Sequence, residues 1–181
     1  MRKILALILF AAIALAIPPL PRKSPEFTIS PPGGKETLLS SYRGKVVLLG
    51  FFATWCQHCQ NTSKVFNGLQ EAFGAEGLQV VGVAFNPDVD VSKVKEFAHL
   101  YAPSFPVGMS KTDNVISYLG ISVMERFVYP QVVLIDRKGM IRAQYTGHDE
   151  AFFDAQQEQH MRDEALKLLS EGALGKPKAG H

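Results

Sequence analysis

The sequence predicts an α/β fold, a central mixed β-sheet flanked by helices, and three observations carry that expectation. An unbroken apolar run of strand length, Val46–Phe52, and a second buried-strand run, Leu78–Phe85, are each followed by apolar residues at helical spacing. A third run, Val132–Ile135, meets the turn signal Asp136-Arg137-Lys138-Gly139 and then a further strand-like stretch, Met140–Tyr145. The chain closes on one more long helical pattern, so alternating parallel units give way to a hairpin and a final helix.

Taken in order, the elements begin after an atypical start. Met1-Arg2-Lys3 is positive, Ile4–Ala16 is continuously apolar, and Ala14-Leu15-Ala16 has the small-residue pattern of a signal-peptidase site. Residues 1–16 are therefore expected to be a signal peptide. The competing reading is an uncleaved membrane anchor, because Ile4–Leu20 reaches the lower limit of a bilayer span if Pro18 and Pro19 are accepted. Residues 17–24, rich in proline and carrying Arg22 and Lys23, read as an extended, solvated linker. The folded domain is expected over 25–171, followed by a flexible tail at 172–181.

Within that domain Glu26–Ile29 reads as a short strand, Pro31-Pro32-Gly33-Gly34 as a turn and Leu38–Lys45 as a loop into the sheet. Val46–Phe52 is apolar throughout, as a strand covered on both faces requires. Val65, Phe66, Leu69 and Phe73 recur at helical spacing, and Gly74 and Gly77 supply the stop. After Leu78–Phe85, Asp90 caps a helix bearing Val91, Val94, Phe97, Ala98 and Tyr101. Phe105–Met109 is expected as a short strand, Asn114–Leu119 as a short helix and Ala151–Leu169 as the closing helix.

Composition narrows the function. Hydrophobic residues make up 46% of the chain and charged ones 20%, and the net charge is only +2. No basic run is interleaved with aromatics, which argues against a nucleic-acid partner. A zinc site takes about four ligands, and beside the 2 cysteines, Cys56 and Cys59, the rest would have to come from His58 and four scattered histidines, which argues against one. An inert disulfide would usually close a longer loop. No metal and no cofactor are expected.

The remaining reading is redox chemistry. The pair sits where an apolar strand run ends and a helical pattern begins, and a helix N-terminus offers unpaired N–H groups and a positive dipole end that stabilise a thiolate. Cys56 occupies that point. One helical turn later Cys59 comes within reach, able to break a mixed disulfide by forming the internal one. Gln57 and His58, between them, are expected to modulate the site, a protonatable imidazole favouring a thiolate beside it.

Arg43-Gly44-Lys45-Val46-Val47-Leu48-Leu49 followed by Phe51-Phe52-Ala53-Thr54-Trp55-Cys56-x-x-Cys59 resembles the exported TlpA/ResA branch of the thioredoxin superfamily. Pro130 ahead of Val132–Ile135 and the Asp-Arg-Lys-Gly turn support the likeness, which runs from about Pro25 to about Leu169. A proline opening a strand fits either peptide isomer. The resemblance implies a thioredoxin fold, thiol-disulfide exchange, a cis Pro130 and Trp55 packed beside the active site. Given a cis Pro130, the backbone of Tyr129 would face Cys56 and pair with an extended substrate segment. Trp55 fits both a core aromatic and a substrate-contacting one.

The chain also departs from that pattern. Gly50 stands where many thioredoxins carry a buried carboxylate that moves the resolving cysteine's proton, leaving His58 and Asp88 as candidates. Asp88 fits a solvated turn or a helix cap as well, and His99 and His160 fit solvated helix faces. Leu119–Tyr129 is longer than the usual approach to the cis proline and brings Glu125 and Arg126, which fit a surface ion pair. The acceptor pattern Asn61-Thr62-Ser63 lies inside the cysteine helix and reads as chance.

The leading function is an exported, monomeric thiol-disulfide oxidoreductase acting on protein substrates and recharged by an upstream redox partner. The resemblance extends this to reducing cysteines for cytochrome c maturation. A thiol peroxidase is the first alternative, but Ala53 and Leu49 stand where it would want Thr or Ser and a proline. The second is a non-catalytic binding module of the same fold. The expected location is periplasmic or otherwise extracytoplasmic, or at the membrane with the domain outside.

Overall fold

The computed structural model describes residues 18–122 and 127–173. The signal or anchor segment and the Glu125–Arg126 pair lie outside the described residues. A 6-stranded sheet runs in the order β1 (Arg22–Lys23), β8 (Met140–Thr146), β7 (Gln131–Ile135), β4 (Val46–Phe52), β5 (Leu78–Ala84), β6 (Val107–Met109). β4, β5 and β6 are parallel, while β7, β8 and β1 each run antiparallel to their inner neighbour. A separate ribbon pairs β2 (Thr28–Ile29) with β3 (Thr37–Leu38), and Ser30 bridges it to Met109 at the sheet edge.

Alternation along the strands divides the core in two. Val46, Leu48 and Phe52 of β4 face α1 (Gln57–Phe73), α2 (Val91–Tyr101) and α4 (Gln157–Ala173), packing on Phe66, Leu69, Phe97 and Met161. Val47, Leu49 and Phe51 face α3 (Thr112–Leu119) and the 27–39 segment, on Val115, Tyr118, Phe27 and Ile29. Every residue of β4 is buried. Both faces being covered explains why that run is uninterrupted by polar residues. Asp90 caps α2, its carboxylate accepting the Lys93 N–H at 2.9 Å.

Two expectations are corrected. Arg22 and Lys23 belong to the sheet and not to a solvated linker. Arg22 donates to the Tyr118 and Leu119 carbonyls at 3.2 Å each, satisfying the end of α3, and Ser24 Oγ lies 2.9 Å from the Tyr118 hydroxyl. The closing helix starts at Gln157 and not at Ala151, because Asp149 and Asp154 hold the intervening residues in turns. Asp149 accepts from the Thr146 N–H, and Asp154 accepts from the Gln156 N–H at 2.7 Å. Phe152 is thereby released from a helix face to stack on Tyr145 at 3.6 Å. Among the described residues no helix is long and apolar enough to cross a membrane.

Candidate active site

Cys56 is the N-cap of α1, with φ −80° and ψ 115°. Its Sγ accepts the Cys59 N–H at 3.3 Å, and the Cys59 thiol points at it with 2.6 Å between sulfurs. Both cysteines are free thiols. Both cysteines are buried, but Cys56 keeps 9% of its surface exposed against 1% for Cys59, so Cys56 is the less covered of the two. The same asymmetry appears in their acidity. The Cys59 thiol, the Cys59 N–H and nearby His58 bring the Cys56 pKa down to about 6. Burial, followed by the neighbouring Cys56 sulfur, drives the Cys59 pKa strongly upward.

The Tyr129–Pro130 peptide is cis. Trp55 is 61% exposed and meets the Tyr129 ring edge-on at 5.8 Å, so it is a surface aromatic and not a core one. Tyr129 continues into Phe85 and Phe127 at 5.0 and 5.4 Å, and burial raises its hydroxyl pKa, with Cys59 and Cys56 adding to the effect. His58 is exposed and, with Thr62, Tyr129, Pro130, Glu150 and Asp154, lines a groove of about 500 Å³ beside the dithiol. Gln57 points away along the helix surface, donating to Asn61 at 3.3 Å.

The other candidates separate. A Cβ placed on Gly50 would fall 2.6 Å from Phe66 Cε2, so an aromatic ring fills the room a buried carboxylate would need. Asp88 lies in a turn, paired with the Lys93 ammonium at 2.7 Å and accepting from Asn86 at 2.8 Å. These contacts hold its carboxyl at about 2, which makes it a poor proton acceptor. His99 is exposed on α2. His160 is only half exposed, its ring stacked near Phe152 and 3.8 Å from Asp154. Thr62 and Ser63 are buried inside α1, against a glycosylation acceptor there.

Sequence reasoning gave no structural role at the site to Asn86, Gln131 or Thr62. Asn86 accepts the Thr54 N–H at 3.1 Å just upstream of the cysteines. Thr62 donates to Gln157 at 3.2 Å, joining α1 to the start of α4. Gln131, directly after Pro130, is buried and donates to the Val128 carbonyl at 2.6 Å. A polar residue at the end of a buried run, as Asn86 and Gln131 are, is the signal that marks such positions.

Against known proteins, the AhpC/TSA family model matches residues 21–144. The chain belongs to that family. It is 30% identical over 124 residues to the thiol-disulfide oxidoreductase ResA of Geobacillus thermodenitrificans, covering 68% of this chain and 67% of that one. It is 32% identical over 127 residues to the thioredoxin-like protein YneN of Bacillus subtilis, covering 70% and 71%. Among solved structures, a Chlorobium tepidum protein assigned as thiol:disulfide interchange protein DsbE superposes with TM-score 0.68 at 26% identity, over 82% of this chain and 96% of that one. The chain is a ResA-like protein thiol-disulfide oxidoreductase of thioredoxin fold, as its sequence led us to expect.

Proposed function

We propose that the protein exchanges disulfides with protein substrates outside the cytoplasm, with Cys56 as attacker and Cys59 as resolver. One observation carries this: on a single helical turn, the less buried cysteine is the acidic one and the more deeply buried one is held as a thiol. The Cys56 thiolate attacks a substrate disulfide, forming a mixed disulfide and expelling one substrate sulfur, which takes up a proton. Cys59 then loses its proton and attacks Cys56 Sγ. The internal disulfide forms as the second substrate sulfur leaves, so the substrate gains two electrons and two protons.

Tyr129 and Pro130 line the groove beside the dithiol, which supports docking of an extended substrate segment along Tyr129, with exposed Trp55 as an apolar contact beside it. Of the two residues between the cysteines, His58 tunes the thiolate. The Met1–Ala16 pattern supports export or anchoring with the domain outside, and an upstream dithiol partner would restore the reduced state. Reduction of cysteines for cytochrome c maturation is the cellular role this reading favours. Leu49 and Ala53, both buried and apolar, disfavour peroxide chemistry because neither offers the hydroxyl or the proline such a site wants.

Insulin reduction without peroxide consumption is the test. Peroxide consumption would favour the peroxidase, and inactivity toward both would favour a binding module. Cys59→Ala should accumulate mixed disulfides at Cys56, and their partners would identify the substrates.

A further inference from the structure

Immediately before Cys56 the chain turns from Ala53, the turn closed by the Cys56 N–H on the Ala53 carbonyl at 3.2 Å. It is tied from two directions. From α1, Gln60 donates its side-chain amide to the Thr54 carbonyl at 3.2 Å. From the end of β5, Asn86 Oδ1 accepts the Thr54 N–H at 3.1 Å. Asn86 is 1% exposed, and its Nδ2 donates to Asp88 Oδ1 at 2.8 Å, while Asp88 Oδ2 takes the Lys93 ammonium at 2.7 Å. A backbone N–H only donates and a carboxylate only accepts, so one amide orientation satisfies both neighbours. An aspartate at position 86 would lose the bond to Asp88 and an apolar residue would lose both, and a buried group left without its partner is costly.

We propose that Asn86 is a positioning residue for the exchange reaction, its amide transmitting the Asp88–Lys93 anchor to the Thr54 backbone and so fixing Trp55 and the Cys56 sulfur. Cys56 has extended, not helical, backbone angles, so the turn before it sets where its sulfur stands relative to the Cys59 N–H 3.3 Å away. The inference rests on Cys56 being the attacking residue.

Trp55 is the only tryptophan, with Trp 1 in the composition, so its fluorescence reports on this turn alone. The experiment uses the reduced full chain and reads two quantities: the rate of iodoacetamide labelling at Cys56 near pH 6, located by peptide mass spectrometry, and Trp55 anisotropy. Asn86→Ala is expected to slow Cys56 labelling about two- to fivefold, as a rise of about half to one pKa unit implies at a pH near the wild-type midpoint, and to lower the anisotropy. Asn86→Asp keeps an acceptor for Thr54 but sets two carboxylates face to face, and should also lower the anisotropy. Combining Asn86→Asp with Asp88→Asn exchanges donor and acceptor and should restore the anisotropy. Because the exchange is read against Asn86→Asp, it decides the matter even if Asn86→Ala fails to fold. Wild-type rate and anisotropy in Asn86→Ala, or no recovery in the exchanged pair, would overturn the role of Asn86. Equal labelling of Cys56 and Cys59 in the wild-type chain would instead remove the attacker assignment beneath it.

Discussion

Replacing Gly50 by alanine should destabilise the protein while leaving both sulfurs untouched. Gly50 lies mid-strand in β4, beside Gly82 on β5 and Val132 on β7. A Cβ there would stand 2.6 Å from Phe66 Cε2, and one on Gly82 would stand 2.8 Å from Phe52 and 3.2 Å from Phe105. Phe66 is itself buried and meets Phe105 edge-on at 5.9 Å, so its ring has no free volume to enter. The paired glycines form a floor on which these rings lie. One added methyl forces Phe66 off its rotamer or lifts α1, an overpacking penalty of about 1–3 kcal/mol. At about 2–4 °C per kcal/mol for a chain of this size, Tm should fall by about 2–12 °C. Thermal unfolding of the reduced protein with urea denaturation alongside would measure it. Adding Phe66→Leu should relieve part of the loss, with a coupling above about 0.5 kcal/mol. A Gly50→Ala variant within about 0.5 kcal/mol of wild type, or strict additivity with Phe66→Leu, would refute the packing argument.

Other outcomes follow from the site. Alkylation of Cys56 should rise with pH, half-maximal near its pKa of about 6 and level about one unit above, because the thiolate is the nucleophile. Cys59 should stay unlabelled over the same range. Cys59→Ala removes the largest stabilising contact on the thiolate, so the Cys56 midpoint should move up toward the ordinary ~8.5; an unmoved midpoint would mean the thiol–thiolate contact is not what lowers it. The reduction potential should lie above the ~−270 mV of thioredoxin and fall in His58→Pro, measured by glutathione equilibration; a wild-type value at or below thioredoxin's would show that the dipeptide does not set it. Asp90→Ala should cost about 1 kcal/mol through loss of the α2 cap, read by urea unfolding, and a neutral result would mean that the bond to Lys93 contributes nothing.

The Cys56–Cys59 spacing, the buried runs of β4 and β5 and the Asp90 cap were all legible because each is a local property. Two residues per pleat, 3.6 per helical turn and a side chain three residues from a backbone N–H are fixed by short-range geometry. Arg22 and Lys23 were misread for the complementary reason. Their surroundings are proline-rich and polar, and what draws them into the sheet is Ile141 and Met140 more than a hundred residues on, together with the exposed carbonyls ending α3.

By itself the sequence determined the chemistry available here: a dithiol at the start of a helix, in a chain whose apolar periodicities specify an α/β sheet. Tertiary structure decided how the two sulfurs differ. Burial and the Cys59 hydrogen bonds make one thiol acidic and the other inert, and Trp55 is turned outward onto Tyr129. It also decided that Phe66 occupies the space above Gly50 and that Asn86 reaches the Thr54 backbone. Solvation, van der Waals exclusion and hydrogen bonding act through space, and the residues that bury Cys59, fill the space above Gly50 and hold the Thr54 backbone come from strands, helices and loops that only folding brings together.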